Sequence, residues 1–122
     1  MEILKLPYLV MIVIPRLGRS KGKRLNKAQR RKAIVTALQA LRALFGGATT
    51  MRSQGVTKMS DGTVLLDTGQ TLVMSGTTRR KFLRRRKEVG RIAMRVGKMI
   101  NQESMAVIAY PSDGFIVILE PC

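Results

Sequence analysis

The basic residues of this chain are the side chains whose number and spacing point to a chemical role. The 122-residue sequence carries 23 lysines and arginines against 7 acidic residues, a net charge of +16. Nineteen of these 23 cations fall in two segments, residues 16–32 and 79–98, and the rest of the chain is close to neutral. Positive charge segregated in this way is typical of a surface that contacts phosphates. The sequence therefore predicts a nucleic-acid-binding protein, without distinguishing DNA from RNA.

The predicted contacts are the cations that lie at or before the start of each predicted helix. Basic residues at a helix N-terminus oppose the helix dipole, and a phosphate there would satisfy both the N–H groups and the side chains. Because the chain has five aromatic residues, we expect recognition of the phosphate backbone with little reading of bases. The predicted set is Arg19, Lys21, Lys23, Arg24, Lys27, Arg30, Arg31, Arg79, Arg80, Lys81, Arg84, Arg85, Arg86, Lys87 and Arg91.

No second set of side chains forms a recognisable catalytic or metal site in the sequence. The chain has no histidine, and its one cysteine is Cys122, so no imidazole is present to activate a thiol or to bind a metal. Asp61, Asp67 and Asp113 each stand in a glycine-containing segment, where an aspartate is ordinary turn chemistry. We therefore predict a protein that is not an enzyme and uses no cofactor or metal, with a metal-dependent nuclease built on two of these aspartates as an alternative.

The segment at residues 63–69, T-V-L-L-D-T-G, resembles the active-site stretch of retroviral-type aspartic proteases. In that family a D-T-G loop follows an apolar strand, and two subunits each contribute one aspartate. The resemblance implies that Asp67 would be the catalytic carboxylate and would share a proton with its counterpart in a second subunit. It covers seven of the 122 residues, and a protease is accordingly a further alternative function.

Other partners stay open at the level of sequence. A structural subunit of a ribonucleoprotein or a binder of an acidic protein would also need this charge. An anionic membrane would suit the cationic segment 78–101, but the apolar face of that segment is needed for the core. A homodimer could form through a sheet edge or through the small residues Gly90 and Gly97. No small-molecule substrate is evident, and the single cysteine leads us to expect a cytoplasmic location.

Apolar spacing predicts the elements that position the cations. Ile34, Leu38, Leu41 and Phe45 repeat at helical intervals, and they predict a helix that begins after Asn26 and stops at the glycines 46 and 47. A second helix is predicted over residues 78–101, where apolar and cationic side chains fall on opposite faces.

The remaining segments read as strands. The unbroken apolar run at residues 8–14 predicts a strand that is covered on both sides or central in its sheet. Residues 49–59, 63–66 and 70–75 are strand-like, with residues 67–69 as a turn or bulge, and residues 105–110 and 115–119 predict a closing hairpin.

This order predicts an α+β ferredoxin-like sandwich formed by residues 1–122 as a single domain. We expect an antiparallel-dominated sheet of about 4–5 strands with two long helices on one face, and a basic mobile loop at residues 16–25. If the first strand and the strand before the second helix run parallel, both helices begin at the same end of the sheet. The two basic segments would then converge on one nucleic acid.

Overall fold

Two helices and five strands alternate along the chain in the order that the sequence predicts. A computed structural model describes residues 3, 5–17, 25–58, 61–111 and 113–119. The elements are β1 (Tyr8–Ile14), α1 (Lys27–Phe45), β2 (Thr49–Lys58), β3 (Val64–Thr77), α2 (Arg79–Met99), β4 (Ser104–Tyr110) and β5 (Phe115–Ile118).

Helix α1 begins and ends where its capping residues predict. The side chain of Asn26 accepts hydrogen bonds from the backbone N–H groups of Ala28 and Gln29, at 2.9 and 3.1 Å. Gly46 ends the helix with a φ of 97°, a left-handed conformation that glycine adopts without steric cost. Its N–H donates to the carbonyl oxygen of Arg42 at 2.7 Å. The buried face of α1 consists of Ala33, Ala37, Leu41 and Phe45.

Helix α2 is amphipathic, as predicted. Thr78 caps it by accepting a hydrogen bond from the backbone N–H of Lys81 at 3.2 Å. Its buried residues are Phe82, Val89, Ile92, Ala93, Val96 and Gly97. Cations occupy the opposite face, so this helix contributes both to the core and to the basic surface. Within the described part of the chain, no helix is both long and apolar enough to cross a membrane.

The five strands form one antiparallel sheet in the order β2-β3-β1-β4-β5. Ile12 of β1 lies opposite Val73 of β3 and Val107 of β4, and all three side chains are buried. They form one core with the apolar residues of both helices, so both helices pack on the same face of the sheet. The fold is therefore the predicted ferredoxin-like α+β sandwich.

The direction of β3 corrects the prediction that the two basic segments converge. Tyr8 lies opposite Thr77, and Ile14 lies opposite Thr71, so β1 and β3 are antiparallel. Helix α1 follows the end of β1 and helix α2 follows the end of β3, which places their starts at opposite ends of the sheet. The expected parallel pairing is wrong because β2 and β3 form a hairpin, and the returning strand of that hairpin is the one that pairs with β1.

Residues 67–69, predicted as a turn or a bulge, form a bulge and not a turn. Strand β3 runs without interruption through Asp67 and Gly69. Between the pairs Ser53–Gln70 and Gly55–Asp67, one residue of β2 lies opposite two residues of β3, so the extra residue lies on β3 at positions 68–69. Gly69 has a packing role, because a Cβ atom there would lie 2.3 Å from Cδ of Arg16. The glycine lets the side chain of Arg16 cross the strand.

Strand β1 is central in the sheet, as predicted, but the chain covers only one of its faces. Tyr8, Val10, Ile12 and Ile14 are buried beneath the helices. The residues between them lie on the other face of the sheet, where Leu9 is exposed. In the described part of the chain, both helices lie on the inner side of the sheet, and the outer side has no covering layer.

Candidate functional site

The predicted phosphate contacts do not form one site. Arg19, Lys21, Lys23 and Arg24 lie outside the described residues. Lys27 and Arg31 are exposed on the first turns of α1. The second group begins at the opposite end of the sheet and follows α2: Arg79, Arg80, Lys81, Arg84, Arg85, Arg86, Lys87 and Arg91.

Arg30 is engaged inside the protein. Its Nε donates to the carbonyl oxygen of Pro15 at 2.9 Å, and its Nη2 donates to the carbonyl oxygen of Gly69 at 2.7 Å and to Oγ1 of Thr71 at 2.9 Å. Burial lowers the pKa of Arg30, and the negative charge of Asp67 opposes that shift. This guanidinium therefore ties α1 to β3 and to the end of β1.

Two cations of α2 have acidic partners within the chain. Arg79 donates to Asp113 through Nε at 2.8 Å, and the hydroxyl of Tyr8 donates to the same carboxylate. The hydrogen bond with Asp113 raises the pKa of Arg79. Arg85 donates to Glu88 at 2.9 Å, one turn further along the exposed face.

Asp67 and Asp113 lie at opposite ends of β1, so these two carboxylates do not form the pair that a metal-dependent nuclease would need. Asp67 is 5% exposed and lies beside the C-terminal end of β1, where it accepts hydrogen bonds from the backbone N–H groups of Arg16 and Leu17 at 2.7 and 3.1 Å. Asp113 contacts Tyr8 at the N-terminal end of the same strand. Within the described residues, no three His, Cys, Asp or Glu side chains form a group that could hold a metal ion.

The helix layer carries two shallow depressions. One, of about 620 Å³, lies along α1 and is lined by Lys27, Arg31, Lys32 and neighbouring apolar atoms. The other, of about 450 Å³, lies between α2 and the β4–β5 connection, where Arg86 and Lys87 face Phe115. Cations contribute to both depressions, with Asp113 also in the second, and the two belong to different helices.

A groove of mixed character lies on the other side of the sheet. It has a volume of about 360 Å³. The hairpin of β2 and β3 extends beyond the last paired residue of β1, since Lys58 pairs with Val64 while Ile14 pairs with Thr71. The groove lies between this extended hairpin and the β4–β5 pair. Its lining includes Val13, Val56, Lys58, Gln70, Glu103 and Ile116, and we call it the sheet groove.

The sheet groove combines apolar walls with a few polar groups of both charge signs. Lys58 supplies an ammonium and Glu103 a carboxylate, while Gln70 and Gln102 supply amides. The Gln70 side chain accepts a hydrogen bond from Ser53 at 3.3 Å, and the Gln102 amide donates to the carbonyl oxygen of Ile100 at 3.3 Å. Apolar surface with a few convergent polar groups is typical of sites for small molecules.

Sequence reasoning missed the sheet groove because its residues come from β1, β2, β3, β4, β5 and the α2–β4 connection. No motif joins residues so far apart. Lys58 is one of four cations outside the two basic segments, and nothing in the sequence distinguishes it from the other three.

The sequence matches no protein-family model and no curated protein. Among solved structures, the chain is similar to a phage SAM lyase in complex with S-methyl-5'-thioadenosine, with 14% identity, a TM-score of 0.65, and coverage of 97% of this chain and 95% of that chain. It is similar to a phage SAM lyase in the apo state, with 14% identity, a TM-score of 0.66, and coverage of 100% and 98%.

A third similarity is more distant. The divalent cation tolerance protein CutA1 from Thermus thermophilus shares 15% identity, with a TM-score of 0.48 and coverage of 86% of this chain and 82% of that chain.

These comparisons correct the predicted function. The structures that match over nearly the whole chain are those of an enzyme with a small-molecule ligand, and they are not nucleic-acid-binding proteins. We predicted a nucleic-acid-binding protein that is not an enzyme and has no small-molecule substrate. That prediction is therefore wrong. The antiparallel pairing of β1 and β3 agrees with this correction, because it removes the convergence of the basic segments.

Proposed function

We propose that this chain is a lyase that binds SAM, S-adenosylmethionine, in the sheet groove and releases methylthioadenosine from it. The observation that carries the proposal is the similarity to SAM lyase structures over 97–100% of the chain, at TM-scores of 0.65 and 0.66. At 14% identity this similarity concerns the fold, so the chemistry is argued from the groove itself.

The polar groups of the groove suit the charges of this substrate. SAM carries a carboxylate, an ammonium and a sulfonium on its methionine part, and an adenine at its other end. In the proposed complex Lys58 pairs with the carboxylate, and Glu103 lies on the side of the two cationic groups. The apolar walls at Val56 and Ile116 accommodate the adenine ring. The volume of about 360 Å³ lies within the range of roughly 300–1,000 Å³ that is usual for small-ligand sites.

The reaction places modest demands on the protein. The bond between the sulfonium sulfur and the methionine-derived carbon breaks, and its electron pair stays on sulfur, which leaves as a neutral thioether. That departure requires no proton, so a chain without histidine can support it. At carbon, either the substrate carboxylate forms the new C–O bond or a neighbouring C–H proton passes to a base. Apolar walls favour this step because they exclude water and because the positive charge of the sulfonium is lost as the bond breaks.

The test is to incubate the purified chain with SAM and to follow methylthioadenosine by liquid chromatography and mass spectrometry. We expect methylthioadenosine to form in proportion to protein concentration, and the mass of the co-product distinguishes cyclisation from elimination. S-adenosylhomocysteine is the matched control, since it lacks the sulfonium and should occupy the groove without being cleaved. Absence of both turnover and calorimetric binding of SAM would show that the proposed function is wrong.

We also propose a cytoplasmic location. The single cysteine of the sequence cannot form an internal disulfide, which agrees with a reducing compartment. Fractionation of cells that express the protein would test this.

A further inference from the structure

The apolar run of β1 is suited to a cover on both faces, and the described residues provide one on a single face. A strand without polar alternation is typical of burial on both faces, and residues 8–14 of this chain are all apolar. The helices cover one face of β1 and leave Leu9 exposed on the other. The sequence is therefore suited to a second layer on the outer side of the sheet.

Exposed apolar side chains lie on the outer side of all five strands. Register places Leu9, Met11 and Val13 of β1 in line with residues of β3 and β4 that also lie on the outer side. The large exposed apolar side chains on this side are Leu9, Met51, Val56, Val64, Leu66, Ile108, Tyr110, Ile116 and Ile118. We call this surface the outer sheet face.

Charge is almost absent from the outer sheet face. Lys58, opposite Val64 at the far end of the hairpin, is the one charged side chain that strand register places on it among the described strand residues. Arg52 pairs with Thr71, the residue that receives the Arg30 guanidinium, and so it lies on the helix side. Because the chain has a net charge of +16, a face with one cation carries much less charge than the rest of the surface.

The size of the face is suited to a specific protein interface. Five strands about 4.8 Å apart, with seven residues at about 3.4 Å each, cover roughly 24 by 24 Å, or about 550 Å² before side-chain relief is counted. A stable interface of standard size buries about 800 Å² per partner. Exposed apolar patches of several hundred Å² on a single chain generally mark such contacts.

The distribution of charge argues against a membrane as the partner. Peripheral binding to a bilayer combines inserted apolar side chains with cations at the anionic headgroups beside them. Here the cations lie on the helices, and the sheet separates them from the apolar face. A bilayer that received the outer sheet face would meet almost none of the positive charge.

A second copy of the same chain fits both the shape and the charge. When two sheets pack face to face at about 10 Å, with a helix layer about 10 Å behind each, the basic helices of the two copies are about 30 Å apart. That separation exceeds the Debye length of about 8 Å at physiological ionic strength. The outer sheet face is therefore the surface through which two strongly cationic copies can associate with little repulsion.

We infer that this chain associates with a second copy of itself through the outer sheet face. The sheet groove opens on that face, since Val13, Val56 and Ile116 belong to its lining, so the second copy would form one wall of the groove. The interface differs from the sheet edge and the Gly90–Gly97 surface considered from sequence. A Cβ atom on Gly97 would contact Met105 and Leu119 of the same chain, so that small-residue surface is already occupied.

The experiment is sedimentation velocity of the full chain between about 1 and 100 µM, because interfaces of this size dissociate at micromolar concentrations or below. Ile108→Glu places a charge near the middle of the face, at a side chain that is 43% exposed. Val35→Glu is the matched control, at a side chain that is 45% exposed on α1. We expect the unmodified chain and Val35→Glu to sediment as assemblies also at high salt, and Ile108→Glu to sediment as a single folded chain.

Circular dichroism and thermal unfolding establish that each variant is folded. If Ile108→Glu fails to fold, Ile116→Glu on the edge strand takes its place, at a side chain that is 66% exposed. A single sedimenting chain at every concentration of the unmodified protein would overturn the inference. So would assemblies that survive both substitutions, or a monomer that binds phosphatidylcholine–phosphatidylserine vesicles through Ile108. The inference does not depend on SAM cleavage, because the readout is mass.

Discussion

Asp67 and Arg30 bind the N–H and the C=O of a single peptide group, the one that joins Pro15 to Arg16, where the chain leaves β1. The carboxylate of Asp67 accepts the backbone N–H of Arg16 at 2.7 Å, and the guanidinium of Arg30 donates to the carbonyl oxygen of Pro15 at 2.9 Å. Their opposite charges also interact, since Asp67 raises the pKa of Arg30 against the effect of burial. Asp67, which the sequence connected with catalysis, and Arg30, which it connected with phosphate binding, thus both have a structural role at the end of β1.

Replacing Asp67 with Ala should lower the free energy of unfolding by about 2–3 kcal/mol, because three backbone N–H groups lose a charged acceptor. Asp61→Ala is the control. Asp61 accepts a hydrogen bond from the N–H of Thr63 in an exposed turn, and because the site is open to solvent its replacement should cost less than about 1 kcal/mol. Urea unfolding measures both. Equal effects of the two substitutions would contradict the buried structural role of Asp67.

Arg30→Gln and Arg31→Gln replace neighbouring arginines of α1, of which Arg30 is half-buried and Arg31 is exposed. We expect Arg30→Gln to destabilise the protein by about 1–3 kcal/mol, since three hydrogen bonds are lost in a half-buried position. Arg31 is exposed on α1, so Arg31→Gln should alter stability by no more than about 0.5 kcal/mol. Thermal unfolding of the two variants side by side provides the comparison. A larger loss for Arg31→Gln would mean that the contacts of Arg30 are not stabilising.

Gly97→Ala and Gly90→Ala should have effects of opposite sign. Alanine is favoured over glycine by about 1 kcal/mol in a helix interior. At Gly97, however, the added Cβ would lie 2.6 Å from Cγ of Met105 and 2.8 Å from Cδ2 of Leu119. We expect that overpacking to produce a net loss of about 1–3 kcal/mol.

At Gly90 the nearest atom to the added Cβ, in Phe115, is 3.7 Å away, so Gly90→Ala should stabilise the protein by about 0.5–1 kcal/mol. The denaturant concentrations at which Gly97→Ala and Gly90→Ala are half unfolded, each compared with that of the unmodified protein, test both predictions. Stabilisation by both substitutions would show that Met105 and Leu119 can move aside.

Tyr8→Phe tests the link between β1 and the β4–β5 connection. The Tyr8 ring is buried and packs on Phe82, with ring centroids 5.6 Å apart, and its hydroxyl donates to Asp113. Removal of that hydroxyl should cost about 1–2 kcal/mol, since a buried bond to a charged acceptor is lost. Arg79→Met removes the exposed partner of the same carboxylate, and should lower stability less than Tyr8→Phe does, because an exposed ion pair contributes little. A larger drop in melting temperature for Arg79→Met than for Tyr8→Phe would contradict this prediction.

Lys58→Met should reduce kcat/KM for SAM cleavage by about tenfold or more, equivalent to about 1.4 kcal/mol of lost transition-state binding. The reason is the loss of the proposed partner for the substrate carboxylate. Because Lys58 is exposed, its replacement should leave the unfolding midpoint unchanged. Lys32→Met, on the exposed side of α1, removes the same charge away from the sheet groove and should retain full activity. Full activity of Lys58→Met would place the substrate elsewhere.

The parts of the fold that depend on local chemistry were predictable from the sequence. Asn26, Gly46 and Thr78 delimit the helices through bonds to residues within four positions, so the helix ends are confirmed by the structure. The direction of β3 relative to β1 depends on residues more than fifty positions apart, and no local pattern specifies it. Predictions that rested on that direction, including convergence of the basic segments, were therefore wrong.

The candidate site depends still more on distant residues. The D-T-G segment has the composition of a turn, yet it continues β3, because Asp67 has backbone partners at residues 16 and 17 and Gly69 accommodates Arg16. The lining of the sheet groove comes from all five strands. No local pattern in the sequence brings these distant residues together.

The central place of β1 in the sheet governs the order in which the protein can form during synthesis. β1 leaves the ribosome early, yet its hydrogen-bonding partners are residues 71–77 and 107–110, which are made much later. A nascent chain must therefore keep an apolar strand unpaired until most of the sequence has been translated, and such strands are prone to aggregate. Chaperone demand should be highest while β3 is still inside the exit tunnel.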